Sequence, residues 1–178
     1  MIDVTKIDFT SFYDGAAELV QMYKDELENQ RVSASGELSR SVDFDVDYDE
    51  NDITLYFNMA VWWYYVEKGR RPTGSGGGQT WTNSVQEIER WMRNKMSRGW
   101  FVPRRNNKIP RTDKEIKSVA YAIVRKIHRE GFYSPNHQGL HILQQVLDRA
   151  EASGLLDRMV DSVVQGFDKE ISIEIEKI

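Results

Sequence analysis

The sequence predicts an α+β fold, a small antiparallel sheet packed against several amphipathic helices. Three observations predict it. Val42, Phe44, Val46 and Tyr48 alternate with Ser41, Asp43, Asp45 and Asp47, and Ile53, Leu55 and Phe57 alternate with Thr54, Tyr56 and Asn58 across a polar turn, so residues 41–58 read as a hairpin half-buried on one face. Elsewhere apolar residues recur three and four apart, the period of a helix with one covered face. At the far end Ile171, Ile173 and Ile175 alternate with Ser172, Glu174 and Glu176, which predicts a third strand over about 170–177 joining the same sheet. Helix, hairpin, helices and last strand, in that order, is an α+β arrangement. The 178 residues are read as one domain, 1–178, a size at which folding buries roughly two-thirds of the unfolded chain's surface.

Each element has its own justification. Phe12, Ala16, Leu19, Val20, Tyr23 and Leu27 share a face of a first helix, with Thr10 or Ser11 as its cap and a break in the small, polar stretch ending at Gly36. A two-stranded hairpin is marginal alone and wants more strands or a helix against it. Met59–Glu67 is aromatic, with Trp62, Trp63, Tyr64 and Tyr65 in succession, and reads as a short helix or a continuation of the strand. Residues 69–81 are glycine-rich and read as a mobile loop. Asn83 or Ser84 then caps a helix bearing Val85, Ile88, Trp91, Met92 and Met96. A second mobile loop, 98–111, holds two prolines and four arginines. Thr112-Asp-Lys-Glu115 is a capping box opening a helix with Ile116, Val119, Ala120, Ile123 and Ile127, ended by Gly131. Apolar residues at helical spacing return over 140–147 and 155–167, with Gly154 either separating two helices or weakening one.

Composition removes several function classes. There is no cysteine, so disulfides, thiolate metal sites and cysteine nucleophiles are excluded. No apolar run approaches the roughly 20 residues of a membrane helix, and the first residues lack a basic-then-apolar signal pattern. The expected product is cytoplasmic or assembled from the cytoplasm, with no membrane contact. The net charge of −4 hides a division: residues 1–60 carry 4 basic and 14 acidic side chains, residues 61–131 carry 16 and 6, and residues 132–178 carry 4 and 8. Such segregation points to a nucleic-acid face or to complementary surfaces between subunits.

No catalytic constellation stands out. His137 and His141 are four apart, but the sequence between them lacks the glutamate of a zinc protease and Gly139 argues against one continuous helix. Gly74–Gly78 is not followed by the lysine a phosphate-binding loop requires. Asp43, Asp45 and Asp47 point to one side of their strand about 7 Å apart. A solvated strand face is the simplest account of them, with a metal-dependent nuclease as the chemical alternative. Arg70, Arg71, Arg104, Arg105, Lys108 and Arg111 fall in the two loops near Trp81, Trp100 and Phe101. Basic loops with aromatics bind phosphate backbones and stack bases, and the same residue types anchor protein–protein interfaces. Trp62, Trp63 and Tyr65, with Glu67 beside them, exceed what one short element buries in its own core and are read as packing against a neighbouring subunit. No cofactor is expected, and the chain reads as a non-enzyme.

Two segments match a known pattern. Ala34-Ser-Gly-Glu-Leu-Ser-Arg-Ser41 follows an amphipathic helix and precedes a strand. Trp63-Tyr-Tyr-Val-Glu-Lys-Gly-Arg-Arg-Pro72 follows the hairpin. With the helix Ala120–Gly131, their order and spacing resemble the neck and tail-completion (head–tail joining) proteins of tailed bacteriophages, over roughly residues 10–131. The resemblance implies a structural virion subunit assembled in the host cytoplasm. It implies a homo-oligomeric ring in the neck or tail, contacting portal, neck or tail proteins, with genomic DNA passing through it. In such a ring Asp43, Asp45 and Asp47 would line the channel as a wall that does not grip phosphates. The basic loops, ordering on docking, would meet neighbouring subunits or rings. The alternative reading is a nucleic-acid-binding protein that uses the basic loops of residues 70–111.

Overall fold

Local capping chemistry sets most element boundaries in the computed structural model, which describes residues 7–32, 35–48, 52–60, 63–69, 79–101, 108–131 and 139–176. The first helix, α1, runs Thr10–Asn29. Its start is held by Asp8, whose carboxylate accepts the Thr10 N–H at 2.9 Å, rather than by a hydroxyl of Thr10 or Ser11. Gly36, at φ 74°, turns the chain into the short helix α2, Glu37–Ser41. Strands β1, Asp43–Tyr48, and β2, Ile53–Asn58, form the expected hairpin. Helix α3 is Trp63–Lys68, so the aromatic segment is helical from Trp63 onward.

Helix α4 spans Gln79–Ser97 and so starts four residues before Asn83. No helix breaker follows Gly78, and the first turn forms upstream of the expected caps. Residues expected in the first mobile loop, Gln79–Trp81, are therefore helical, while 70–78 and 102–107 of the two loops lie outside the described residues. At the end of α4 the Trp100 N–H donates to the Lys95 carbonyl (2.8 Å) and the Gly99 N–H to that of Met96 (3.0 Å). With Gly99 at φ 68° this is a Schellman closure.

Helix α5, Asp113–Glu130, has the capping box the sequence predicts: the Thr112 hydroxyl accepts the Glu115 N–H, and the Glu115 carboxylate accepts the Thr112 N–H at 3.0 Å. The same carboxylate takes the Arg111 N–H at 2.7 Å. These backbone donors, Arg111's first, hold the Glu115 carboxyl below the usual carboxylate range. Its anchoring is thus present at neutral pH and is lost only as acid titrates it through that lowered value. Helices α6, Ile142–Ala152, and α7, Leu155–Glu176, are separated by Gly154 at φ 70°.

The last helix corrects the sequence reading. Residues expected to form a third strand over about 170–177 continue α7 to Glu176, and the sheet has two strands among the described residues. No glycine, proline or asparagine interrupts the chain between Phe167 and Glu176. Extending an existing helix costs one residue's ordering per hydrogen bond, whereas a new strand needs a turn and a partner. The isoleucine alternation alone does not overcome that difference.

The sequence shows no linker, but the contacts divide the chain into two compact units. The hairpin unit comprises Met1–Leu27, Arg40–Ala60 and Ile142–Ile178, and the helical unit Glu28–Ser39 and Val61–His141. The core of the hairpin unit is Phe12, Ala16, Leu19, Tyr23 and Leu27 of α1 with Val42, Ile142, Val146, Ala150, Leu155 and Met159. Glu26, almost buried, pairs with Arg149 at 3.0 Å and ties α1 to α6. In the helical unit Val85 and Met92 of α4 pack on Ile116, Ala120 and Val124 of α5, with Ile88, Trp91, Met96 and Phe101 around them.

Two glycines are demanded by close approach. A methyl group on Gly15 would meet the Met159 side chain at 2.3 Å, and one on Gly139 would meet the Glu67 backbone oxygen at 1.8 Å. The second contact is backbone against backbone, beside the Leu140 N–H donating to the Val66 carbonyl at 2.8 Å. A thioether can rotate away and a peptide group cannot. We therefore expect Gly139→Ala to cost more than Gly15→Ala, the latter falling within the roughly 1–3 kcal/mol of ordinary overpacking. Urea unfolding of the two variants checks the order.

Candidate functional site

The acidic face is built by strand register. Asp43 faces Asn58, Asp45 faces Tyr56 and Asp47 faces Thr54, while Phe44 faces Phe57 and Val46 faces Leu55 on the other side. Directly opposite partners share a face. Each carboxylate is therefore set against a neutral side chain, and the like-charge repulsion that destabilises facing pairs is avoided. The Asn58 amide donates diagonally to the Asp45 carboxylate at 2.6 Å, and the Asp43 carboxylate accepts the Phe44 N–H at 2.9 Å. All three aspartates are exposed, and Tyr56 between them is 51% exposed.

The opposite face explains why the acids point outward. Phe44 stacks at 6.2 Å from Tyr13 of α1, and Tyr48 at 5.3 Å from Phe9. The Ser41 hydroxyl accepts the Ala60 N–H at 3.0 Å and closes the hairpin's open end. A one-residue slip would turn every aspartate into this aromatic contact.

The described part of the aromatic segment divides between core and surface. On α3, Trp63 is half-buried and Tyr64 and Tyr65 are exposed, with the three rings edge to face in succession at 6.2 and 6.1 Å. Glu67, expected on the same surface, is instead 3% exposed. Gly139 lies against its backbone within the helical unit. Trp62, Arg70, Arg71, Arg104 and Arg105 lie outside the described residues. Lys108 and Arg111 are exposed, and the Arg111 N–H serves the α5 capping box.

Among the described residues a cationic feature also lies outside the two basic loops. Lys114, Lys117, Arg125, Lys126 and Arg129 project from the exposed side of α5 around Tyr121, along one open groove. Lys126 and Arg129 both pair with Glu130, whose carboxyl they hold low, Arg129 most strongly. The signal was available: these residues repeat at the same helical period as the apolar face opposite.

Among the described residues no group of three histidine, cysteine, aspartate or glutamate side chains is placed to hold a metal ion. His141 is exposed in a left-handed conformation (φ 50°) before α6 begins, so it does not share a helical turn with a residue four earlier. Among the same residues no helix is long and apolar enough to cross a membrane. What the surface offers is two charged faces of opposite sign, suited to recognition.

Register also yields a test. Asn58→Asp puts a carboxylate opposite Asp43 and diagonal to Asp45, and should destabilise the protein by about 0.5–1 kcal/mol. The deficit should shrink in about 1 M salt, where charges are screened within roughly 3 Å. Urea unfolding at both ionic strengths measures it.

Comparison of the chain with protein-family models, with curated proteins and with solved structures finds no match.

Proposed function

We propose that the protein is a structural subunit of a tailed-bacteriophage particle, forming a homo-oligomeric ring in the neck or tail that joins or completes the tail and lets DNA pass. The observation that carries the reading is the order of the motifs: Ala34–Ser41 after an amphipathic helix, the hairpin, Trp63–Pro72, and the helix ending at Gly131. It is supported by local structure. The first motif supplies the glycine turn and short helix before β1, and the second begins as α3. The role is assembly rather than catalysis, and the partners are copies of itself and neighbouring portal, neck or tail proteins.

On this reading the acidic hairpin face is the channel wall. Asp43, Asp45 and Asp47 form a ladder with no cation among the residues facing them, so phosphates are repelled and the genome slides. A second reading, a nucleic-acid-binding protein, is favoured by one observation, the cationic face of α5. The basic loops of residues 70–111 adjoin it in sequence. It requires affinity for DNA that falls steeply with salt.

Replacing Asp43, Asp45 and Asp47 together with lysine separates assembly from passage. Particles carrying the triple variant should assemble in normal number and lose infectivity by at least about tenfold, because the wall now binds phosphates. Normal infectivity would sink the channel assignment.

A further inference from the structure

The exposed sides of α5 and α7 carry the same spacing with opposite charge. On α5, Lys114, Ser118, Tyr121 and Arg125 stand at positions i, i+4, i+7 and i+11, and all are exposed. On α7, Asp157, Asp161, Val164 and Asp168 stand at i, i+4, i+7 and i+11, and all are exposed. Each stripe runs about 16 Å along its helix at 1.5 Å per residue. A charge sits at each end and an apolar side chain between: Tyr121 is 51% exposed, Val164 51%, and Val160 beside it 60%. Among the described residues Lys114, Lys117, Arg125, Asp157 and Asp161 take part in no ion pair.

The two stripes also belong to units of opposite charge. The hairpin unit, which holds α7, has 7 basic and 20 acidic side chains. The helical unit, which holds α5, has 17 basic and 8 acidic. We infer that the α5 stripe of one copy docks on the α7 stripe of the next. Lys114 and Arg125 face Asp157 and Asp168, and Tyr121 covers Val160 and Val164. A contact between two different faces of the same chain is heterologous, and it closes into a ring or runs on as a filament. The inference rests on the ring reading above and names the surfaces that make the ring.

Phosphates would also suit the α5 cations, but they would leave Val160 and Val164 bare and Asp157 and Asp161 unmatched. A second copy covers all of them. Tyrosine and arginine are the residues that dominate interface energies when desolvated. A single helix pair buries less than the roughly 1,200 Å² of a stable two-body interface, so an open pair dissociates readily and ring closure supplies the rest.

The absence of cysteine makes cross-linking specific. Copies carrying Tyr121→Cys are mixed with copies carrying Val160→Cys or Val164→Cys and oxidised with copper phenanthroline. The mixed disulfide dimer should dominate over either homodimer. Adding Lys114→Glu and Arg125→Glu to the first copy should reduce it at least about tenfold, and adding Asp157→Lys and Asp168→Lys to the second should restore it. Absence of the mixed dimer, or its persistence after charge reversal, overturns the inference. Native mass spectrometry of the wild-type protein separates the two failures. A closed oligomer without the cross-link means that other faces make the ring. A monomer that binds a DNA duplex, and loses it on Lys114→Glu and Arg125→Glu, ends the ring reading as well and gives the α5 face to nucleic acid.

Discussion

The hairpin stands only because α1 lies under it. Two strands of six residues do not hold together in water by themselves. Here Phe9 and Tyr13 cover Tyr48 and Phe44, and the remaining face of α1 is sealed by α6 and α7 through Leu155, Met159 and the Glu26–Arg149 pair. Gly15 lets Met159 approach the helix backbone. With the apolar side thus committed, strand alternation leaves the aspartates no direction but solvent. The charged face is a consequence of aromatic packing on the other side of a pleat. The neutral partners on β2 make it tolerable.

Much of this was legible in residues 41–58, because period-two alternation and burial on one side are the same fact seen twice. The α5 boundaries were legible for a similar reason: Thr112, Glu115 and Gly131 are capping residues whose chemistry is local. At the C-terminus Ile-Ser-Ile-Glu-Ile-Glu satisfies a strand pattern, but the absence of a breaker after Phe167 lets α7 run through it. Asn83 and Ser84 suit a helix cap, but nothing between Gly78 and Asn83 stops a helix, so α4 starts at Gln79. The two units leave no mark in the sequence because each is assembled from separate segments.

The sites divide in the same manner. The acidic ladder needs only one strand's pattern, so Asp43, Asp45 and Asp47 were visible. The close approach of Gly139 to the backbone of buried Glu67, seventy-two residues away in sequence, is a long-range contact that no local rule reports. The α5 stripe follows the helical period of the exposed face, opposite Ile116, Ala120 and Val124. Its match on α7 lies on a helix that the apolar spacing of 155–167 already marks. Charge segregation, seen along the sequence, carries over to the two units, one acidic and one basic. The exposed Tyr121, Val160 and Val164 lie inside these charged stripes, and the proposed docking of one copy on the next would cover them.

Self-assembly through opposite charges is the proposal on which the ring depends. The most direct measurement is the solution mass of the purified protein by light scattering across a salt series, with a labelled duplex added to half the samples. The expected result is a closed oligomer at low salt whose mass falls toward the monomer as salt rises, with the duplex left free throughout. A protein that stays monomeric at every ionic strength and captures the duplex at low salt would contradict it.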